Sequence, residues 1–507
     1  MENNRTERSG RGSDIFYILA LGLLSFAGLC LFSVTTSPLF PYSTGYDSLF
    51  FMTVGKGMTR GLLPYRDFFD MKGPYMFLIQ YLGQLIRYGK TGIFLVQVIN
   101  LWISLLIVSR IFSVCGINRR GLKFLMLLPI VAICSFTFWG GNRVEEYSLI
   151  PLMCCLYVCL AFIKGQLPRK GREARFFPLA GLLFGASVGY MAYLRVTNAF
   201  PVCAMALTVV VYLIREKQAG RILPCALGFV GGLLVTMVPP VMYYWSKGLI
   251  DEFYRAVVVL GMKYSGELSL TDHLLSLFSA EYPTNYLMLL IMGLSVCLVL
   301  FMGRDGFYEK LLMVLGTAFT LAAIASGNNY PHYYALALPL IVMGEISFVT
   351  APGMKARTKK LLCGSLALIV ILAGTGYGVT HIKSLKKTVS SYTAPGRDIV
   401  SAQEVSRLVT EDRDRLYLYG FSPVFYLYSD LFPCIRYCQW QEHYFALMPE
   451  IVEEMEQTFR DDPPVWLVLR PKPQNLPGFI SEAVSQRYEL SYSDGSCALY
   501  HLAQTAE

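Results

Sequence analysis

The sequence predicts a mainly α, polytopic membrane protein with about eleven transmembrane helices and a small C-terminal extracytoplasmic α/β domain. Three observations carry this reading. Of 507 residues, 54% are hydrophobic and only 16% are charged, with a mean hydropathy of +0.46. A soluble globular chain is about a quarter charged, so there is too little polar surface here to coat the molecule against water. Apolar runs of membrane-spanning length recur along the first three quarters of the chain. The last quarter differs: residues 383–507 carry a net charge of −5, against +14 for residues 1–382. Disorder, fibres and a soluble enzyme core are excluded. The overall charge of +9 does not point to nucleic acid, because the basic residues sit in short loops between apolar runs.

Eleven runs read as spans: 15–35, 91–112, 121–139, 147–164, 176–194, 198–214, 222–245, 285–303, 310–326, 331–350 and 361–381. The first is an anchor rather than a cleaved leader, being about twenty residues long with no small-residue cleavage site before Pro38. Segment 74–88 is apolar but short, and it carries Gln80, Gln84 and Arg87. That suits a re-entrant or interfacial helix. The count then sets orientation. With 74–88 not crossing, the N-terminus and five basic loops share the cytoplasmic side with 21 Lys and Arg, against 11 opposite. The positive-inside rule favours this arrangement, in which the C-terminus lies outside.

Residues 1–382 thus form the membrane domain, with a long first exterior loop at 36–90, and 383–507 form the exterior domain. In the tail, strand-like runs at 415–420, 465–469 and 497–502 alternate with helical patterns at 398–410 and 444–460. It has no GxGxxG, phosphate-binding loop or nucleophile elbow. The 13 cysteines include no CxxC, so a zinc site is not expected. Cys434, Cys438 and Cys497 leave room for one disulfide in the tail or for three buried thiols.

Acidic residues are scarce in the membrane domain, and an acid at a membrane boundary is a functional candidate. Asp251, Glu252, Glu267, Asp272 and Glu281 read as solvated loop charges. Asp47 does not, because of its surroundings. It opens a helix in which Leu49, Phe50, Thr53, Val54 and Gly57 recur at helical spacing, so that the segment can lie on the membrane surface. Gly61 to Pro64 break that helix, and PYRDFFDMKGP leads into the short apolar segment. An acid at the entry and Asp-x-Lys-Gly-Pro at the exit suit a charged lipid head group. The lysine is a point charge for a phosphate, and the aspartate can take a proton from an acceptor hydroxyl.

With these residues the sequence resembles the GT-C glycosyltransferases of the protein O-mannosyltransferase and lipid A aminoarabinose transferase type. Tyr46, Asp47, Gly61, Pro64, Tyr65, Asp70, Lys72, Gly73 and Pro74 match the family's first-loop pattern. Gly141-Asn142-Arg143-Val144-Glu145-Glu146 is similar to its second exterior loop, and Asn329-Tyr330-Pro331-His332-Tyr333-Tyr334, followed by Pro339, to its late histidine-tyrosine pair. One departure stands out: relatives often have Asp-Glu where this chain has Asp47-Ser48. A second acid is then sought in Glu145 or Glu146.

The resemblance implies transfer of a sugar from a polyprenyl-phosphate carrier to an acceptor hydroxyl on the outer face of the cell (plasma or inner) membrane. The acceptor, whether glycan, lipid or protein, is not legible. Asp47 is the expected general base of an inverting displacement. Tyr46, Asp70, Lys72, Arg143, Glu145, Glu146, Arg195, Tyr330, His332 and Tyr333 are the expected donor-phosphate and substrate-binding groups. Neither a metal nor another cofactor is expected, since the relatives work without one. Arg195 also reads as a snorkelling span-end cation and His332 as a structural interfacial histidine. The alternatives to a transferase of this kind are a lipid-linked glycan polymerase or ligase and a polytopic transporter. The transporter lacks support in an internal repeat, and the spans carry almost no charge apart from Glu345, near a cytoplasmic end.

Overall fold

The computed structural model describes residues 2–43, 45–166, 173–265, 271–272, 275, 277, 283–302, 306–326, 329–351, 395–471 and 475–503. Ten helices among them are long and apolar enough to cross a membrane: Asp14–Phe32, Lys90–Val114, Arg120–Thr137, Val144–Ile163, Arg175–Ala192, Val196–Arg215, Ala219–Ser246, Thr284–Met302, Phe307–Ala325 and Pro331–Thr350. The chain is a multi-pass membrane protein. These ten match the first ten expected spans; the eleventh, 361–381, lies outside the described residues. Segment 74–88 is a 13-residue helix, too short to cross, as its length and glutamines indicate.

The chain divides into two compact units. Unit 1 gathers Met1–Ser33, Phe94–Tyr243 and Leu268–His381. It is built from α1 (Glu2–Phe32), α4 (Lys90–Val114), α5 (Arg120–Thr137), α6 (Val144–Tyr147), α7 (Leu149–Ile163), α8 (Glu173–Ala192), α9 (Phe200–Arg215) and α10 (Ile222–Ser246). α11 (Pro283–Cys297), α12 (Phe307–Ala325) and α13 (Leu338–Thr350) complete it. Lipid offers no hydrophobic drive to pair such helices, so close backbone approach must supply the packing. The α8–α10 pair does this with Gly181, Gly185, Gly228 and Gly232, spaced four residues apart on each helix. A Cβ added at Gly185 would stand 1.9 Å from the Phe229 carbonyl oxygen.

Unit 2 gathers Val34–Ile93, Tyr244–Glu267 and Ile382–Glu507, so the first loop and the tail share one core. The loop supplies α2 (Asp47–Met58) and α3 (Pro74–Ile86). α2 does not lie on a membrane surface. Ser48 through Gly57 are all buried, which covers every side of the helix. Two small residues allow this: a Cβ at Gly55 would meet the Gln80 backbone at 2.8 Å, and one at Gly57 would meet the Phe68 ring at 2.7 Å. Phe50, Phe68, Phe77 and Tyr65 then pack edge to face, and Tyr65 continues onto Tyr244 and Phe253 at 5.0 and 5.4 Å.

The tail carries α14 (Arg397–Leu408), α15 (Val424–Ser429), α16 (Gln441–Leu447), α17 (Glu450–Asp461) and α18 (Gly478–Arg487). Its four-stranded sheet has the order β1-β2-β4-β3, from β1 (Leu416–Leu418), β2 (Trp466–Leu469), β3 (Tyr488–Ser493) and β4 (Ala498–Leu502). β1 and β2 are parallel, with Tyr417 opposite Leu467, and the other pairs are antiparallel. The three strands read from apolar runs are present. β3 was not expected because it is an edge strand whose side chains are mostly exposed, so its sequence has no apolar run. The helix expected over 444–460 is two helices, since Pro449 cannot continue α16 and instead precedes the first turn of α17. Cys434, Cys438 and Cys497 are free thiols.

Candidate active site

In unit 2 the Asp47 loop is assembled by local turns. Gly45 adopts φ +105°, and Asp47 opens α2, where the helix dipole favours a carboxylate. Asp47 is half-buried. The Tyr46 hydroxyl beside it accepts a hydrogen bond from the Trp440 backbone N–H at 3.2 Å. Burial pushes this phenol up to about 12, and the nearby Asp47 charge acts in the same direction.

Asp70 organises the exit of the loop. Its Oδ1 accepts from the Lys72 N–H at 2.7 Å, and its Oδ2 accepts from Gln439 Nε2 at 2.8 Å and Tyr444 Oη at 3.3 Å. Burial raises the Asp70 carboxyl, the Lys72 charge opposes this, and the Asp47 charge adds to it. Asp47 and Lys72 are therefore each near enough to act on Asp70. The Lys72 carbonyl accepts from Tyr65 Oη at 2.8 Å, Gly73 is extended, and Pro74 takes the first turn of α3, where its missing N–H costs nothing. The Asp-x-Lys-Gly-Pro sequence is thus a turn tied down by Asp70 with a partly exposed Lys72 side chain. Asp70 itself spends both oxygens inside the unit, so its place is in shaping the turn.

In unit 1 the second loop turns through four consecutive left-handed residues, Trp139, Gly140, Gly141 and Asn142. The buried Glu146 braces that turn. Its carboxylate accepts from Gln97 Nε2 at 2.9 and 3.0 Å and from the Asn142 N–H at 2.9 Å, while Asn100 Nδ2 donates to its backbone carbonyl at 2.8 Å. Glu145, also fully buried, faces the other way: Arg195 Nη1 lies 3.5 Å and His332 Nε2 3.8 Å from its oxygens. The two acids, expected at a loop, are buried at the start of a span, so Glu145 is set against cations and Glu146 against hydrogen-bond donors.

Arg195 lies 3.5 Å over the Tyr333 ring centre and donates to the Ala323 carbonyl at 3.4 Å and Ser326 Oγ at 3.3 Å. It is anchored inside unit 1 and does not snorkel. His332 forms a group of near-parallel rings with Trp139 and Tyr330, at 5.5 and 5.6 Å, and the Arg143 guanidinium lies 5.0 Å over Trp139. The structure so brings Arg143, Glu145, Arg195, Tyr330, His332 and Tyr333 into one cluster in unit 1. Tyr46, Asp47, Asp70 and Lys72 form another in unit 2.

Sequence reasoning passed over Gln97, Asn100 and Trp139 in unit 1, and Gln439, Trp440 and Tyr444 in unit 2. Gln97 and Asn100 had a signal: amides one helical turn apart in an apolar span want partners. The tail residues had none, being some 370 positions from the aspartate they serve. Among the described residues no three His, Cys, Asp or Glu side chains converge as metal ligands would.

Architecture and geometry together describe a polytopic helical membrane protein with an acidic first loop and an α/β tail, a fold found in known proteins. The particular likenesses are to solved structures. ArnT from Cupriavidus metallidurans bound to undecaprenyl phosphate superposes with a TM-score of 0.60 at 13% identity, covering 97% of this chain and 98% of that one. The same protein in its apo state gives 0.56 at 13% identity with the same coverage. The apo oligosaccharyltransferase of Archaeoglobus fulgidus gives 0.52 at 12% identity, covering 97% of this chain and 75% of that one. No family model matches the sequence, and no curated protein does.

Proposed function

We propose that the protein is a polyprenyl-phosphate-sugar-dependent glycosyltransferase that acts on the outer face of the membrane with inversion. The observation that carries the reading is that, in unit 2, a half-buried Asp47 and Lys72 both act on the same buried Asp70, which ties the turn bearing Lys72. Support comes from the shared fold of a structure that holds undecaprenyl phosphate. In the proposed reaction Asp47 takes the proton of the acceptor hydroxyl as its oxygen bonds to the anomeric carbon. The carbon–phosphate oxygen bond breaks, and polyprenyl phosphate leaves. A single displacement inverts the anomeric centre.

Lys72 is the cation assigned to the leaving phosphate, whose charge grows in the transition state. In unit 1, Arg195, His332, Tyr330 and Tyr333 are donors of the kind a phosphate takes, and Arg143 a further cation. Glu145 holds Arg195 and His332 rather than acting as a second base, and Glu146 braces the loop. No metal is part of the mechanism.

The test uses purified protein, undecaprenyl-phosphate sugars and membrane extract as acceptor. Asp47→Asn keeps the shape and removes the base. General base catalysis is worth about 10²–10⁴-fold, so the variant should bind donor and transfer at least about a hundredfold more slowly. Near-normal transfer by Asp47→Asn removes Asp47 as catalyst.

A further inference from the structure

Unit 2 holds a feature that this chemistry leaves unused. The segment Gln439–His443 enters α16 through Trp440, which adopts φ +51°. Trp440 is partly exposed. Its indole meets the Tyr46 ring at 5.6 Å and 69° and the His443 ring at 5.3 Å and 73°, and no ring is stacked parallel on it among the described residues. His443 in turn meets Tyr264 at 5.7 Å.

Two polar atoms of this segment hold no hydrogen bond among the described residues: Oε1 of Gln439 and Nε2 of His443. Gln439 is only 3% exposed, and its other amide atom is fixed on Asp70. Leaving a buried polar atom unmet is costly, and such groups in a native protein call for an explanation. A ligand hydroxyl supplies one.

An indole with a carbonyl acceptor and an imidazole beside it is a set of a particular kind. An apolar ligand would cover the indole and leave Gln439 Oε1 unmet. An anion would find that carbonyl oxygen and the Asp70 carboxylate opposed to it. A pyranose has the matching chemistry for all three, an apolar C–H face for the indole and hydroxyls for the amide oxygen and the imidazole. The segment also touches the reacting end of the loop, because the Trp440 N–H is held by Tyr46, the neighbour of Asp47.

We propose that Gln439, Trp440 and His443 form a pyranose-binding subsite that the C-terminal domain contributes to the Asp47 loop, walled by Tyr46 and Tyr264. The sugar's use in transfer rests on the function proposed above; its binding does not. The ring is that of the lipid-linked donor or of a glycan acceptor.

The experiment measures binding to the full-length protein in nanodiscs by calorimetry, for wild type, Trp440→Ala, Trp440→Phe and His443→Ala. The soluble probes are the methyl pyranosides of mannose, glucose, galactose and 4-amino-4-deoxyarabinose. At least one should bind wild type, and Trp440→Ala and His443→Ala should weaken it at least about tenfold, a loss of roughly 1.4 kcal/mol. Trp440→Phe, which keeps an aromatic face, should stay within about threefold of wild type and shows that the site tolerates substitution. The lipid probes are undecaprenyl phosphate and undecaprenyl-phosphate mannose. If the donor sugar occupies the subsite, the sugar-bearing lipid binds wild type more tightly than the bare one, and Trp440→Ala erases the difference. If a glycan acceptor does, both lipids bind all four proteins alike while the pyranoside loss persists. A wild type that binds none of the pyranosides, or variants that bind them as well as wild type, overturns the subsite. Pyranoside binding without any binding of undecaprenyl phosphate overturns the transferase reading and leaves the subsite standing.

Discussion

Asp70 and Lys72 show how neighbouring residues in one motif divide the work. Asp70 is 7% exposed and spends its oxygens on Lys72 N–H, Gln439 and Tyr444, so it is an internal tie. Lys72 gives its backbone to that tie and keeps a partly exposed ammonium. Lys72→Ala should therefore leave the fold intact and weaken use of the lipid-phosphate donor. A lost charged hydrogen bond is worth about 1.5–3 kcal/mol, or about 10- to 100-fold in kcat/KM. Donor kinetics unchanged in a folded Lys72→Ala protein would remove the phosphate assignment. The charged residues of this motif were legible because each is rare in an apolar chain. Their partners Gln439 and Tyr444 were not, since nothing in a lone glutamine or tyrosine announces a contact with a loop hundreds of residues earlier.

Among the elements, α2 and the α8–α10 pair make the sharpest cases. α2 was readable as a helix from its spacing, yet its burial was not, because the protein covering it comes from α3 and the tail. One tie between them is Asp430, which takes Lys56 Nζ at 2.8 Å, Arg60 Nη2 at 2.6 Å and Tyr88 Oη at 2.7 Å. Burial alone would raise the Asp430 carboxyl; the hydrogen bonds from Lys56 and Tyr88 outweigh it and leave it below the usual value. A carboxyl depressed in the folded state stabilises above its unfolded value of about 3.9 and loses that contribution as pH falls through the lower folded value. Asp430 is 40% exposed, so solvent screening discounts the pair to about 1 kcal/mol. Asp430→Asn should lower the unfolding temperature at pH 7, with the gap from wild type closing toward pH 3. A gap that persists unchanged in acid would count against an ionic tie.

The α8–α10 contact gives a second prediction at this scale, with its own control. Gly185 meets the Phe229 carbonyl, whereas Gly231, on α10, has open space where a Cβ would stand. Both are helix-interior glycines, so a larger residue gains similar backbone propensity at each. Gly185→Leu must push the helices apart, at a cost of about 1–3 kcal/mol or more, while Gly231→Leu should be neutral. Thermal unfolding in detergent distinguishes the two. Equal unfolding temperatures would mean that close approach does not hold this pair.

For the whole molecule, membrane topology follows from parity. Unit 2 is built from residues 34–93, 244–267 and 382–507. Its first piece follows one of the ten described spans and its second follows seven, both odd numbers, so both are expected on the side opposite the N-terminus. The tail shares their core through Gln439 on Asp70, Arg60 on Asp430 and the Arg255–Glu454 pair, and is expected there too. The ten described spans end at Thr350, and an even count predicts a return to the N-terminal side, so one more crossing is expected before the tail. The apolar run 361–381 is the segment of the right length. Independently, the charge count of 21 basic residues against 11 predicts a cytoplasmic N-terminus. We therefore expect an alkaline phosphatase fused after residue 507 to be active and one fused after residue 357 to be inactive, with a fluorescent protein giving the opposite pattern. Moving the fusion from 357 to 507 should change the outcome even though only one apolar run lies between. A fluorescent protein that glows at both positions would remove the eleventh crossing and, with it, the exterior placement of Asp47 and the tail on one side.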